Sequence, residues 1–144
     1  MYKQPLDYAI ILSMGQAYRH KNTSVSLINY HFVWIPRRRR KVLVKEVKQR
    51  LEELIYEKAK ELGCVVVSLA IEPDHVHLFL NCSPDLAPKQ IMHGIKGYSS
   101  YVLRKEFPEL KKMPSMWTRS YFVSTAGNVS SATVQRYIEA QGKT

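Results

Sequence analysis

Two rhythms of apolar and polar positions run through the chain, one of period two and one of period three to four, and their order predicts the elements. Residues 24 to 36, SVSLINYHFVWIP, are rich in β-branched and aromatic side chains and stop at Pro36, which predicts a strand. The basic stretch RRRRK (37 to 41) follows as a loop. Val44, Val47, Leu51, Leu54, Ile55, Ala59 and Leu62 then recur at spacings of three and four, forming one apolar helix stripe that Gly63 is placed to end. CVVVSLAI (64 to 71) and HVHLFLNC (75 to 82) are strand-length runs joined by the turn-forming EPD (72 to 74), which predicts a hairpin with a three-residue connection. In that register partners sum to 146, and Cys64 faces Cys82. Ser83 or Asp85 is expected to cap a second helix, with Pro88 in its first turn, Ile91, Ile95, Tyr98 and Val102 buried, and an end near Phe107-Pro108. MWTRSYFVSTAG (116 to 127) predicts a fourth strand, broken by Gly127-Asn128, after which Ser130-Ser131 can cap a last short helix, ATVQRYIEAQ (132 to 141).

The order β-α-β-β-α-β plus a terminal helix is the pattern of an α+β, ferredoxin-like (RRM-like) domain: a four-stranded antiparallel sheet with two helices on one face. In it the first and third strands are central neighbours. Residues 1–23 read as an N-terminal extension of unreadable role, and residues 24–144 as one domain.

Composition changes the picture in one respect. Lys and Arg number 22 against 12 Asp and Glu, a net +10 that favours a polyanionic partner, nucleic acid first. No stretch reaches the roughly 18 apolar residues of a membrane span. YAIILSM, near the start, lacks the basic lead and cleavage site of a signal peptide, so a cytoplasmic location is expected. The two cysteines make neither a disulfide framework nor a zinc cluster; they are expected as two buried thiols, with a cross-strand disulfide as the alternative.

Within EPDHVHLFLN (72 to 81) the strand period divides the side chains. Val76, Leu78 and Leu80 share a face suited to packing under helices, while His75, His77 and Phe79 share the other. Two imidazoles at i and i+2 project in parallel and suit two neighbouring sites on one metal ion. A third ligand is then needed. Asp74 and Glu72 are adjacent but belong to the turn; the other candidate is Gln141, which lies one helical turn from Tyr137 on the same helix face. Val134 and Ile138 can anchor a different face of that helix. A tyrosine beside a metal on a basic protein suggests attack of a phenolic oxygen on a phosphodiester, with the bond energy retained in a phosphotyrosine.

These residues resemble a known family. EPDHVHLFL resembles the HUH motif (His, hydrophobic, His), SYFVSTAGNVSSATVQRYIEAQ the tyrosine-helix region of the small single-tyrosine transposases of the insertion-sequence 200/605 type, and NYHFVWIPRRRRKVL that family's first strand and basic loop. The likeness runs from Ser24 to Gln141. It implies action on single-stranded DNA, recognition of hairpins near element ends, a 5′-phosphotyrosine intermediate, a homodimer, and a need for Mg²⁺ or Mn²⁺. It further implies that His75, His77 and Gln141 are metal ligands and that Tyr137 is the nucleophile.

The run Arg37, Arg38, Arg39, Arg40 and Lys41 is the densest charge in the chain and is expected to bind phosphates, with Lys96, Arg119 and Arg136 contributing. Trp117, Tyr121 and Phe122 are candidates for stacking on bases, with core packing the simpler reading. Two rival readings stand beside the transposase: a domesticated relative acting on repeated genomic palindromes, and a non-catalytic single-strand binder, a use to which ferredoxin-like sheets are also put.

Overall fold

The structure is a computed structural model and describes residues 18–125 and 131–141. Strands β1 (Arg19–Lys21), β2 (Ser24–Ser26) and β3 (Ile28–Trp34) precede helix α1 (Lys45–Glu61). Strands β4 (Val65–Glu72) and β5 (His75–Cys82), helix α2 (Pro88–Glu106), strand β6 (Phe122–Ser124) and helix α3 (Ser131–Gln141) complete it, with short 3-10 turns at Arg37–Arg39 and Pro108–Lys112. The main sheet has the order β4-β5-β3-β6, every neighbouring pair antiparallel. The strand bearing the two histidines is therefore central and paired with β3, as the ferredoxin-like pattern requires.

The first predicted strand divides. Ser24–Ser26 leaves the main sheet and pairs with Arg19–Lys21 in a separate two-stranded hairpin. Val25 is exposed there, so this segment has no apolar face to bury in the sheet. Arg19 holds the hairpin down instead: its guanidinium donates to the side chain and carbonyl of Asn81 (2.9 and 3.0 Å) and to the Gly63 carbonyl (3.2 Å). Lys21 pairs with Asp85. The last residues of the expected extension thus touch the end of β5.

The β4-β5 hairpin also differs from expectation. Its connection is the two-residue turn Pro73-Asp74, and partners near it, such as Ile71 with Val76, sum to 147. An irregularity between Val66 and Ser68 inserts one residue, after which Val66 faces Leu80. A bulge of this kind shifts the alternation by one position, which lets both Val66 and Ile71 bury. It also returns the register to the one in which Cys64 and Cys82 meet, and both are buried free thiols. Cys82 holds the Cys64 thiol below its usual range.

Phe32, Trp34, Val76, Leu78 and Leu80 are fully buried against α1 (Leu51, Leu54, Ile55, Ala59) and α2 (Ile91, Met92, Ile95, Leu103), forming one apolar core. Gly63 ends α1 with φ 77, the left-handed conformation that glycine adopts without penalty. Ala87, not Ser83 or Asp85, stands at the start of α2: Pro88 takes the first helical position, and the Gln90 side chain accepts the Ala87 N–H at 2.8 Å. Asp85 is occupied by Lys21.

The fourth strand is far shorter than the predicted 116 to 127. Among the described residues of that segment, only Phe122–Ser124 pairs with β3, preceded by an isolated bridge between Pro36 and Trp117. Trp117 is buried rather than offered to a base, its ring edge-on to Trp34 at 6.0 Å and its indole N–H donating to Ser99 Oγ at 3.2 Å. Lys96 draws the following carbonyls away from any ladder, donating to Thr118 O at 2.8 Å and Ser120 O at 3.0 Å. The expected break at Gly127-Asn128 and the Ser130 cap lie outside the described residues.

Helix α3 packs on the opposite face of the sheet from α1 and α2. Val134 and Ile138 are buried on Val33 and Ile35, with Phe122 and Tyr137 at the border. Among the described residues no helix is long and apolar enough to cross a membrane.

Candidate active site

The strand period puts Val76, Leu78 and Leu80 into the core and leaves His75 and His77 on the other face, half-buried, with ring centroids 5.0 Å apart. Each has its Nδ1 engaged. Asp74, buried in the turn, accepts from His75 Nδ1 at 2.8 Å with one carboxylate oxygen and from Arg39 Nε at 2.8 Å with the other. An ionised carboxylate can only accept, so His75 carries its proton on Nδ1. Burial works to raise the Asp74 carboxyl, but the bonds from His75 and Arg39 outweigh it and hold it below its ordinary value. His77 Nδ1 lies 3.4 Å from Nε2 of His31, on the neighbouring strand β3. Burial, followed by the nearby His75 and His31, pushes His77 down to about 4, so it is neutral at pH 7.

Tyr137 and Gln141 meet at one atom. Ser120 Oγ is 3.0 Å from the Tyr137 hydroxyl and donates to Gln141 Oε1 at 2.9 Å. A hydroxyl has one proton, so Ser120 accepts from Tyr137. Burial pushes the Tyr137 phenol above its ordinary value, with Ser120 opposing. Lys96 holds the backbone of Ser120 in turn, and burial lowers its ammonium to about 8.

The two halves share a sheet face. Val33 is the cross-strand partner of both His77 and Phe122, and it belongs to the patch on which Val134 and Ile138 of α3 dock. Among the described residues, ring contact joins His75 with His77, and Ser120 joins Tyr137 with Gln141.

The donor set suits a divalent cation. Both histidines have Nδ1 occupied and are left with Nε2 for a ligand bond, and one is backed by a carboxylate, as metal-bound histidines commonly are. Among the described residues no three His, Cys, Asp or Glu side chains are placed to hold a metal. Asp74 has both oxygens in use and Glu72 is exposed; the amide oxygen of Gln141, the third donor of the expected set, accepts from Ser120 here and would have to exchange that bond for a metal.

The basic run is not uniform. Arg38 and Arg39 adopt left-handed φ of 57 and 56, a strained choice for side chains that turns Arg39 back onto Asp74. Arg37 donates to Ser115 Oγ at 3.2 Å. Arg38, Arg40 and Lys41 are exposed, as are Arg119 and Arg136. Arg119 lines an open groove of about 510 Å³ with Lys89, His93, Lys96 and Tyr121. The ammonium of Lys96 is taken by two carbonyls.

Sequence reasoning passed over His31 and Ser120. His31 shows only as a polar position in an apolar strand, and its meeting with His77 depends on the β3-β5 register. Ser120 stood within the quoted segment, but a lone serine signals nothing without its partners.

Known proteins supply the family of this chain. The ISDra2 transposase TnpA of Deinococcus radiodurans is 32% identical over 117 residues, covering 79% of this chain and 84% of that protein. The transposase for insertion sequence element IS200 of Salmonella typhimurium is 28% identical over 115 residues, 78% of this chain and 75% of that one. A crystal structure from Deinococcus radiodurans R1, itself described as a transposase, superposes with a TM-score of 0.80 at 32% identity, covering 85% of this chain and 97% of that one. A REP-associated tyrosine transposase bound to a REP hairpin shares the fold at TM-score 0.52 and 14% identity, over 85% of this chain and 69% of that one. The chain is a DNA transposase. Residues 24–141 match the family described as "Transposase IS200 like", and the chain belongs to it.

Proposed function

We propose that this transposase cleaves and rejoins single-stranded DNA at hairpin-marked element ends through a 5′-phosphotyrosine on Tyr137, in one catalytic domain spanning residues 24–144. The observation that carries the reading is the pair His75 and His77, each with Nδ1 engaged, on the same sheet face that receives the helix bearing Tyr137. The Tyr137 oxygen bonds to phosphorus as the bond to the 3′ oxygen breaks; the phenolic proton is lost and the 3′ oxygen gains one. A 3′-hydroxyl of another end then reverses the exchange, so no external energy source is consumed. The Tyr137 hydroxyl, bonded to Ser120 here, must give up that bond to reach a phosphate.

His75, His77 and Gln141 would hold a divalent cation, Mg²⁺ or Mn²⁺. Bound there, it supplies the Lewis acidity that polarises the phosphate and stabilises the departing 3′ oxygen. Arg38, Arg40, Lys41, Arg119 and Arg136 are the exposed cations suited to the DNA backbone, while Arg37, Arg39 and Lys96 position the protein itself. Excision takes two cleavages and each chain offers one such tyrosine, which supports action as a homodimer, and a cytoplasmic setting fits.

The test uses single-stranded oligonucleotides from either side of the gene, incubated with and without Mg²⁺ and resolved on denaturing gels. A metal-dependent covalent adduct that disappears in Tyr137→Phe is expected. An adduct that survives the substitution removes Tyr137 from its role, and an adduct formed equally in chelator removes the metal.

A further inference from the structure

The two candidate ligands are held by different partners. His75 has a carboxylate behind it, the usual arrangement for a metal-bound histidine. His77 has another imidazole. In the β3-β5 register Val33 faces His77 and His31 faces Phe79, so His31 lies diagonally beside His77 on the same sheet face. The two rings have centroids 5.5 Å apart and are inclined at 32°, and Phe79 packs edge-on against His31 at 6.3 Å. The single polar contact between them runs from His31 Nε2 to His77 Nδ1, 3.4 Å.

We propose that His31 is a positioning residue for the metal site: its Nε2 accepts the Nδ1 proton of His77, fixing the ring in the form whose Nε2 carries a free lone pair for the cation. The inference rests on the metal reading given above. Its logic is proton counting. A neutral imidazole has one N–H. Were His31 the donor, His77 would have to carry its own proton on Nε2 and could not bind a metal there. With His77 as donor, both candidate ligands are protonated on Nδ1 and both present Nε2. The remaining proton of His31 then sits on its Nδ1, a buried atom without a hydrogen-bond partner among the described residues. A position chosen for stability alone would hold an apolar ring, because a buried unpaired polar atom is costly. The imidazole at this position is accounted for by the bond its other nitrogen makes to His77.

The first experiment needs neither metal nor DNA. Long-range ¹⁵N–¹H spectra of the metal-free protein near pH 7.5 report which ring nitrogen of His77 bears the proton; Nδ1–H is expected in the wild type. In His31→Phe, which keeps a ring of similar shape, the preference should be lost in favour of the Nε2–H form. Mn²⁺ titration followed by electron paramagnetic resonance should show affinity falling roughly tenfold in His31→Phe, the scale of losing a second-shell partner. Partial recovery is expected in His31→Gln, whose amide oxygen can accept. A thermal melt of each variant separates a folding defect from a site defect, and the wild-type spectrum decides the matter even if His31→Phe does not fold. An Nε2–H tautomer at His77 in the wild type overturns the proposal, as does unchanged Mn²⁺ affinity in a folded His31→Phe. Failure of Mn²⁺ to bind the wild type instead strikes the metal reading, and the tautomer still decides the role of His31.

Discussion

A histidine beside other imidazoles in a half-buried site resists protonation, and His77 shows the consequence. The unfolded chain takes up that proton near 6.5, whereas the folded chain holds off until about 4, chiefly because burial penalises the charged ring. Between those values the unfolded state binds more protons, so stability is intact above about 6.5 and is lost as pH falls toward 4. The groups that face the ring are His31, His75 and Glu72, and only Glu72 favours the charge. Urea unfolding at pH 7 and pH 4.5 should show an acid loss of about 1 to 2 kcal/mol, discounted for solvent exposure, that is smaller in His77→Phe. An equal loss in both proteins would place the acid sensitivity elsewhere. The parity of His75 and His77 against Val76 and Leu78 was readable in the sequence, because strand alternation is a property of adjacent residues. The partner His31 was not, because it comes from a strand more than forty residues away.

The element on which the proposed chemistry depends is α3, and it is attached differently from α1 and α2. Those two helices are bound into the main core, while α3 docks through Val134 and Ile138 on Val33 and Ile35, a separate and smaller cluster. An Ile→Ala truncation in a packed site costs about 2 to 5 kcal/mol. In Ile138→Ala most of that cost should fall on α3 alone, because the sheet keeps its packing on the other face. Hydrogen exchange should then show α3 amides exchanging much faster than in the wild type, with β3 and β5 amides nearly unchanged. Uniform loss of protection across the sheet would mean that α3 and the core unfold as one unit. The amphipathic spacing of α3 was legible, including which face anchors and which carries Tyr137 and Gln141. The sheet face it occupies was decided by Phe122 and Val33, through a strand far shorter than its sequence suggested.

For the whole molecule the governing fact is the net charge of +10, and the structure shows which of the cations are exposed. Of the five consecutive basic residues, Arg37 and Arg39 are bonded to Ser115 and Asp74, whereas Arg38, Arg40 and Lys41 are exposed. Each phosphate contact on single-stranded DNA contributes about 0.7 to the slope of log affinity against log salt. Replacing Arg38, Arg40 and Lys41 together with glutamine should therefore reduce that slope by about 2 in fluorescence anisotropy with a single-stranded oligonucleotide. A slope that does not change would move the DNA path to Arg119, Arg136 and the groove beside α2. Replacing Arg39 with Gln is a different experiment, since it frees Asp74 and loosens His75.

What the sequence determined by itself was local: the order of strands and helices, the two faces of β5, the stripe of α1, and the pairing of Tyr137 with Gln141 along one helix turn. These follow from repeat distances of two and 3.6 residues, which need no knowledge of distant parts of the chain. The tertiary structure decided register and partnership. It inserted the bulge at Val66/Ser68 that offsets the tighter Pro73-Asp74 turn, and it sent Ser24–Ser26 into a hairpin clamped by Arg19. It shortened the last strand by giving its carbonyls to Lys96, and it supplied His31 to His77 and Ser120 to Tyr137 and Gln141. Each of these is a hydrogen bond or a bulge whose partner is chosen by packing across the sheet, so its position depends on contacts that no local pattern encodes.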